Sequence, residues 1–163
     1  MTKNKAQDST KMPSYGTLFG WLLVGITLVA GSVMFIKRPA EAADVVVYKS
    51  PTCGCCKKWV SHLKANGYTV DVQERTDMSP IKREFGIPRH LQSCHTAKVG
   101  GYVVEGHVPA DVIARLLQEK PQIKGLAVPG MPMGSPGMEG PRKVPYNILT
   151  IPESGKGSVF ANR

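Results

Sequence analysis

The chain has 163 residues, of which 42% are hydrophobic and 7% are aromatic, and its formal net charge is +9. This length suits one globular domain with an additional segment. The basic residues are scattered along the sequence, and few aromatic side chains accompany them, which is not the pattern of a nucleic-acid-binding surface. We therefore expect no nucleic-acid partner, and no serine, carboxylate or phosphate-loop pattern indicates hydrolytic or nucleotide chemistry.

The N-terminal segment predicts export. Residues 17–36 are predominantly apolar and are about long enough to span a membrane. Basic residues flank this stretch on both sides, and Ala40-Glu41-Ala42 follows it as a candidate cleavage site. Two interpretations stay open: residues 1–42 are a signal peptide cleaved after Ala42, or an N-terminal signal anchor that stays in the membrane. Both predict that the rest of the chain lies outside the cytoplasm and touches a membrane only through this segment.

The exported part begins with a predicted strand, helix and strand. Consecutive apolar residues within 44–50 suit a central strand that is covered on both faces. Apolar positions at i, i+3, i+4 and i+7 predict a helix, which Asn66-Gly67 ends; these positions are Cys56, Trp59, Val60 and Leu63. Alternation over residues 68–73 predicts the second strand.

The following elements complete a recognisable order. Ser79-Pro80 predicts the start of a short helix that ends at Gly86. Gly100-Gly101 predicts a hairpin between strands at 96–99 and 102–108, and Pro109 opens a helix that ends at Lys120. The resulting order, β-α-β-α-β-β-α, is that of an α/β protein with a thioredoxin-like fold, which we place at residues 44–121.

The C-terminal part has a different composition. Proline and glycine dominate from Gly125 onward, which predicts loop structure. We therefore expect residues 122–163 to form a Pro/Gly/Met-rich extension, with one short late strand at 146–151, that packs on the core.

Three thiols lie within four residues, at Cys53, Cys55 and Cys56. The predicted helix begins here, and the unpaired N–H groups and dipole of a helix N-terminus favour a thiolate. Thiolates are soft ligands that suit Cu(I), and they also carry disulfide chemistry. The three are too crowded to share one ion comfortably, but they could bridge several Cu(I) ions in a cluster; zinc, which prefers separated pairs, fits less well.

Disulfide pairing stays open at this point. Cys94 is the fourth cysteine, so a structural bridge could join Cys53 to Cys56 or run from the triplet to Cys94. Such a bridge would not explain why three cysteines are clustered. The spacing of Cys53 and Cys56 also fits a thiol–disulfide oxidoreductase.

Histidines and methionines supply further candidate ligands. His95 lies beside Cys94, and His107 is the better candidate because it follows a strand just before a helix. His62 and His90 are expected on the surface. Three methionines lie in the predicted loop without apolar periodicity, and a thioether is a soft Cu(I) ligand or an adaptable filler of a core; they are Met131, Met133 and Met138.

Four runs of the sequence resemble one known family. The runs are residues 48–59, 93–96, 101–109 and 125–131, and the last continues to 139. In order and motif they are similar to the exported copper-resistance proteins of the CopG type. The resemblance extends over about residues 44–151. It implies a thioredoxin-like fold, copper binding through the cysteines and a place in copper handling in the bacterial envelope, that is, in the periplasm.

The resemblance also implies a set of ligands. All four cysteines match family cysteines, and His107, Met131 and Met138 match shared residues, whereas Met133 does not. The predicted metal ligands are therefore Cys53, Cys55, Cys56, Cys94, His107, Met131 and Met138, with no catalytic residue assigned.

The leading hypothesis is an exported copper-binding protein of copper resistance or homeostasis. It would bind Cu(I) in a multinuclear cluster. It could also change the oxidation state of copper, because thiolates donate electrons to Cu(II). A partner in copper efflux or electron transfer is expected with it. The alternatives are a thiol–disulfide oxidoreductase acting on exported proteins and a structural domain with two disulfides.

Overall fold

The computed structural model describes residues 44–163. The predicted signal peptide or anchor, with its apolar stretch at 17–36, lies outside these residues. Within the described part, none of the helices has the length and apolar character that crossing a membrane requires.

One mixed sheet of seven strands forms the centre of this part, in the order β2-β1-β3-β4-β5-β6-β7. The strands are β1 (Val45–Lys49), β2 (Val70–Glu74), β3 (His95–Val99), β4 (Tyr102–Gly106), β5 (Gly125–Val128), β6 (Asn147–Ile151) and β7 (Val159–Asn162). The helices are α1 (Gly54–Ala65), α2 (Ser79–Glu84) and α3 (Ala110–Glu119), and a 3₁₀ turn covers Arg89–Leu91.

The first four strands confirm the predicted fold. β1 is parallel to β2 and antiparallel to β3, and β3 is antiparallel to β4. Together with the order β1-α1-β2-α2-β3-β4-α3, this arrangement is the thioredoxin-like one. The hairpin turn between β3 and β4 is formed by Gly100 and Gly101, which both have positive φ, as a primed turn between twisted strands requires.

Helices cover both faces of the sheet. On one face, α1 and α3 supply Trp59, Leu63, Ile113 and Leu116 to the larger apolar cluster. On the other face, a smaller cluster includes Ile87 and Leu91 of the α2 region with residues from β4, β5 and β6. The buried strands read as continuous apolar runs because both of their faces are covered.

The prediction that residues from Gly125 onward form loop around a single strand is wrong in two places. Residues 125–128 form β5, which is entirely buried and pairs in parallel with β4, and β7 forms the far edge of the sheet. A Cβ on Gly125 would lie 1.8 Å from the carbonyl oxygen of Val103, so this glycine permits close strand approach instead of marking a turn. The predicted late strand at 146–151 is confirmed as β6, whereas β4 ends earlier than expected, at Gly106.

Candidate metal centre

Cysteines at the start of α1 form one half of the site. Cys53 is the N-cap of α1, and its Sγ accepts a hydrogen bond from the backbone N–H of Cys56 at 3.3 Å. The Cys55 Sγ lies 3.5 Å from the Cys53 Sγ. The helix begins here because β1 has just ended and the Ser50-Pro51 turn reverses the chain, so the sulfurs collect at the positive end of the helix dipole.

The ends of β3 and β4 form the other half. Cys94 precedes β3 and His107 follows β4, and the antiparallel pairing of these strands brings the two residues together. The Cys94 Sγ lies 3.0 Å from the His107 Nε2 and 3.3 Å from the His95 Nδ1. Because His95 is paired with Lys49 at the end of β1, this half lies directly beside the start of α1.

The two halves meet in one group of sulfur atoms. The Sγ atoms of Cys53, Cys55, Cys56 and Cys94 all lie within 4.8 Å of one another. The Cys94 Sγ, a nitrogen of His95 and a nitrogen of His107 also lie within 4.8 Å of one another. Cys94 therefore belongs to both sets of potential ligands, one of four sulfurs and one of a sulfur with two imidazoles.

Two of the four cysteines are joined. Cys53 and Cys56 form a disulfide, while Cys55 and Cys94 are free thiols. Of the two pairings that the sequence left open, the structure has the local one. A disulfide sulfur is not a thiolate, so the Cys53–Cys56 bond must first accept two electrons, which breaks it into two thiolates that can bind metal.

Burial keeps the strand half of the site electrically neutral. Burial raises the pKa of the Cys94 thiol to about 12, and the neighbouring Cys55 sulfur adds to this effect. Burial also lowers the pKa of His107 and holds the pKa of His95 well below its usual value, with His107 and Lys82 acting in the same direction on His95. Both imidazoles are therefore neutral near pH 7, which is the form that binds metal, and Cys94 must release a proton when a metal binds.

His95 is the site residue that sequence analysis ranked too low. Its side chain is fully buried, and its Nε2 has no hydrogen-bond partner among the described residues. The ring packs on Trp59, with 4.3 Å between ring centroids, and on His107, at 4.9 Å. Its position beside Cys94 in a buried strand was the available signal. The nitrogen of His95 that faces the candidate centre is Nδ1, which lies 3.3 Å from the Cys94 Sγ, so Nδ1 is the atom placed to bind a metal there.

The methionine loop reaches the site through its backbone. The carbonyl oxygen of Pro136 lies 2.7 Å from the His107 Nδ1 and accepts its hydrogen bond, which leaves Nε2 as the unprotonated nitrogen facing Cys94. Gly137, with φ of 86°, packs against the start of α1: a Cβ there would lie 2.7 Å from the Cys55 carbonyl oxygen. The loop thus covers the junction between the two halves.

The methionine side chains are placed less uniformly. Met131 and Met133 are 39% and 43% exposed, and Met138 is half-buried next to Gly137. Ligation by Met131 and Met138 stays a prediction.

Among the histidines expected on the surface, His90 is exposed, whereas His62 is half-buried and its Nε2 accepts the backbone N–H of Ala110 at the start of α3.

Comparisons with known proteins show what this chain is similar to. A family model described as "Protein of unknown function, DUF411" matches residues 91–138. A solved structure titled "Copper resistance protein copG- Form 2" is 45% identical, covers 76% of this chain and 99% of its own, and has a TM-score of 0.71. The structure titled "Form 1" of the same protein is 46% identical, covers 73% and 95%, and has a TM-score of 0.69. No curated protein matches at a significant level.

Proposed function

Because the chain belongs to the CopG family of copper resistance proteins, we propose that it binds Cu(I) through its clustered cysteines. The observation that carries the proposal is the convergence of four sulfur atoms within 4.8 Å. Soft sulfur donors select Cu(I) over harder ions. Copper is here the cargo of the protein, and its resistance role follows from holding that cargo.

The donor set suits more than one copper ion. In the reduced protein, four thiolates within 4.8 Å of one another, together with the imidazoles beside Cys94, are more donors than one Cu(I) ion needs, and a thiolate can bridge two ions. His107 adds a neutral imidazole beside Cys94, and the His95 ring, whose Nδ1 lies 3.3 Å from the Cys94 Sγ, offers another. The loop carrying Met131 and Met138 covers the same junction, and we include their thioethers in the proposed ligand set.

We place this activity outside the cytoplasm, in the periplasm. The support is the apolar stretch at 17–36 and the Ala-x-Ala pattern after it, which either a cleaved signal peptide or an anchor explains. A partner that accepts copper for efflux, or one that exchanges electrons with the site, belongs to the same proposal.

The reduced site can also convert copper. Oxidation of the Cys53 and Cys56 thiols to the observed disulfide releases two electrons and two protons. These two electrons reduce two Cu(II) ions to two Cu(I) ions, so the step balances without a further reactant. Repeating it requires a reductant that returns the disulfide to two thiols.

A second function has an observation in its favour. The Cys53–Cys56 disulfide lies at the N-terminus of a helix in a thioredoxin-like fold, which is the arrangement of a thiol–disulfide oxidoreductase acting on other proteins. Such an enzyme requires neither Cys55 nor the imidazoles beside Cys94. These additional donors make copper binding the better proposal.

Metal titration separates the two functions. The fully reduced chain is titrated with Cu(I) against a chelator of moderate affinity, beside Cys55→Ser, Cys53→Ser and the control Ser61→Ala on the exposed side of α1. Copper binding predicts more than one Cu(I) per chain, with a clear loss of bound copper in Cys55→Ser and none in the control. An oxidoreductase would keep its disulfide-exchange activity in Cys55→Ser and lose it in Cys53→Ser. If the reduced wild-type chain captures no Cu(I), the proposal is wrong.

A further inference from the structure

A carboxylate is buried in the sheet close to the metal centre. Glu105 of β4 is fully buried, and three donors surround its two oxygens. Its Oε1 accepts from the Lys82 Nζ at 2.5 Å and from the backbone N–H of Ser93 at 2.5 Å, and its Oε2 accepts from the Thr96 hydroxyl at 2.6 Å. The Lys82 ammonium is also buried.

This carboxylate connects the two chain segments that carry the strand half of the centre. Ser93 is the residue before Cys94, and Glu105 lies two residues before His107. Ser93 also packs closely on Gly106, where a Cβ would lie 2.6 Å from the Ser93 Oγ. The bond from the Ser93 N–H to Glu105 therefore fastens the entry to β3 onto the end of β4.

We propose that Glu105 is a positioning residue: by accepting the Ser93 N–H, it holds the Cys94 sulfur beside the imidazole of His107 and the sulfurs of α1. Lys82 neutralises the carboxylate and ties α2 to it. The effect of Glu105 on copper binding rests on the function proposed above. Its effect on the position of Cys94 does not.

Stability alone does not explain a buried ion pair. Removing two charges from water is costly, and well-packed apolar residues of similar volume often replace such a pair without loss. With an apolar pair, however, the N–H of Ser93 would have no acceptor and would lose its hydrogen bond. This hydrogen bond next to Cys94 is therefore what the charged pair supplies and an apolar pair cannot.

Two uncharged double variants separate positioning from stability. Lys82→Met/Glu105→Gln keeps a carbonyl oxygen that can accept the Ser93 N–H, and Lys82→Met/Glu105→Leu removes it. Neither leaves an unpaired charge in the interior, so both are expected to fold. The Gln variant should unfold in urea near the wild-type midpoint, and the Leu variant at a lower urea concentration, because the Ser93 N–H and the Thr96 hydroxyl lose their acceptor. The exposed pair of Arg115 and Glu119 supplies the control Glu119→Gln.

The first readout is made on the reduced full chain without metal. Alkylation of Cys94, measured peptide by peptide by mass spectrometry, is expected to be several-fold faster in the Leu double variant, because the segment loosens and the half-buried thiol becomes more accessible. Cys55 serves as the internal reference. The Gln double variant and Glu119→Gln are expected to match the wild type.

The second readout is Cu(I) affinity against a chelator. We expect the Leu double variant to bind about 10- to 100-fold more weakly, the usual cost of losing a group that orients a metal ligand, while the Gln double variant retains affinity. If alkylation changes as expected but no form of the chain binds Cu(I), positioning stands and the proposed function fails.

The proposal is overturned if the folded Leu double variant matches the Gln double variant in Cys94 alkylation. Should the Leu variant not fold, hydrogen exchange of the wild-type Ser93 amide decides instead. Strong protection supports its bond to the buried carboxylate, and exchange at the rate of an exposed loop amide contradicts the proposal.

Discussion

The two halves of the metal centre are built in opposite ways. The α1 half presents sulfurs at a helix N-terminus, where Cys53 and Cys55 are partly accessible and Lys57 and Lys58 are exposed beside them. In the strand half, both imidazoles are buried and Cys94 is half-buried, and loss of solvation raises the pKa of Cys94 and lowers the pKa of His95. One half favours negative charge on sulfur, and the other opposes any charge.

This difference assigns different tasks to the two halves. Disulfide chemistry needs accessible thiols that ionise readily, and the structure places the disulfide in the α1 half. The strand half keeps a protonated thiol and neutral imidazoles in the interior, so it gains a strong anionic ligand only when a metal displaces the proton of Cys94. Under the proposed function, electron exchange would belong to the α1 half and retention of the metal to the strand half.

The largest effect is expected where the two halves touch. Trp59 of α1 is fully buried, packs on His95, and donates its Nε1–H to the Val108 carbonyl oxygen at 2.8 Å. Trp59→Ala should lower the free energy of unfolding by about 3–5 kcal/mol, because it leaves a large cavity. Urea unfolding at one fixed redox condition measures this, with Trp59→Phe, which keeps most of the volume, as the matched and milder variant. Equal losses in the two variants would contradict a packing role.

An intermediate effect is expected from acidification of the metal-free protein. The pKa of His95 in the folded state lies below its unfolded value of 6.5, so below about pH 6.5 the unfolded chain binds a proton that the folded chain does not. Stability is therefore complete above this pH and falls as the pH decreases, by up to about 1.4 kcal/mol per pH unit for this residue. His107 acts in the same direction.

Urea unfolding between about pH 7.5 and about pH 5.5 measures this slope over the pH range in which the protonation of the histidines differs between the folded and the unfolded chain. His95→Gln should flatten it, whereas the exposed His90→Gln should leave it unchanged. A slope that His95→Gln does not alter would show that the strand half tolerates charge, and the contrast between the halves would be lost.

The smallest effect concerns the α1 half. In the structure, where Cys53 is in the disulfide, its sulfur caps the helix by accepting the Cys56 N–H, and we expect the reduced thiol to make the same cap. Cys53→Ala should lower the free energy of unfolding by about 1 kcal/mol, the usual cost of a lost N-cap, and Cys53→Ser should preserve it. Urea unfolding in excess reductant measures both. If the two variants are equally stable, the sulfur does not act as a cap.

The α1 half could be predicted from sequence because local chemistry determines it. The apolar spacing that includes Trp59 and Leu63 predicts α1, and three adjacent thiols at its start need no tertiary information to be recognised. The same holds for the hairpin at Gly100 and Gly101. These local signals also suffice for the order of the first seven elements, and hence for the thioredoxin-like fold.

The strand half could not be predicted in the same way, because burial by distant residues determines it. His95 becomes important only when α1 brings Trp59 over it, and Lys82 and Glu105 carry charges that normally indicate a surface position. β5 was missed because a run of only three residues between Gly125 and Pro129 resembles a loop, and only pairing with β4 makes residues 125–128 a strand.

The position of β5 beside β4 has a consequence for the order of events during synthesis. β4, which carries Glu105 and leads to His107, is flanked on its far side by β5, which residues 125–128 form. A ribosome releases the N-terminal part first, so β4 is an open edge, able to pair with another chain, until residues 125–128 have emerged. The seven-stranded sheet is complete only once residues 159–162, which form β7, have followed.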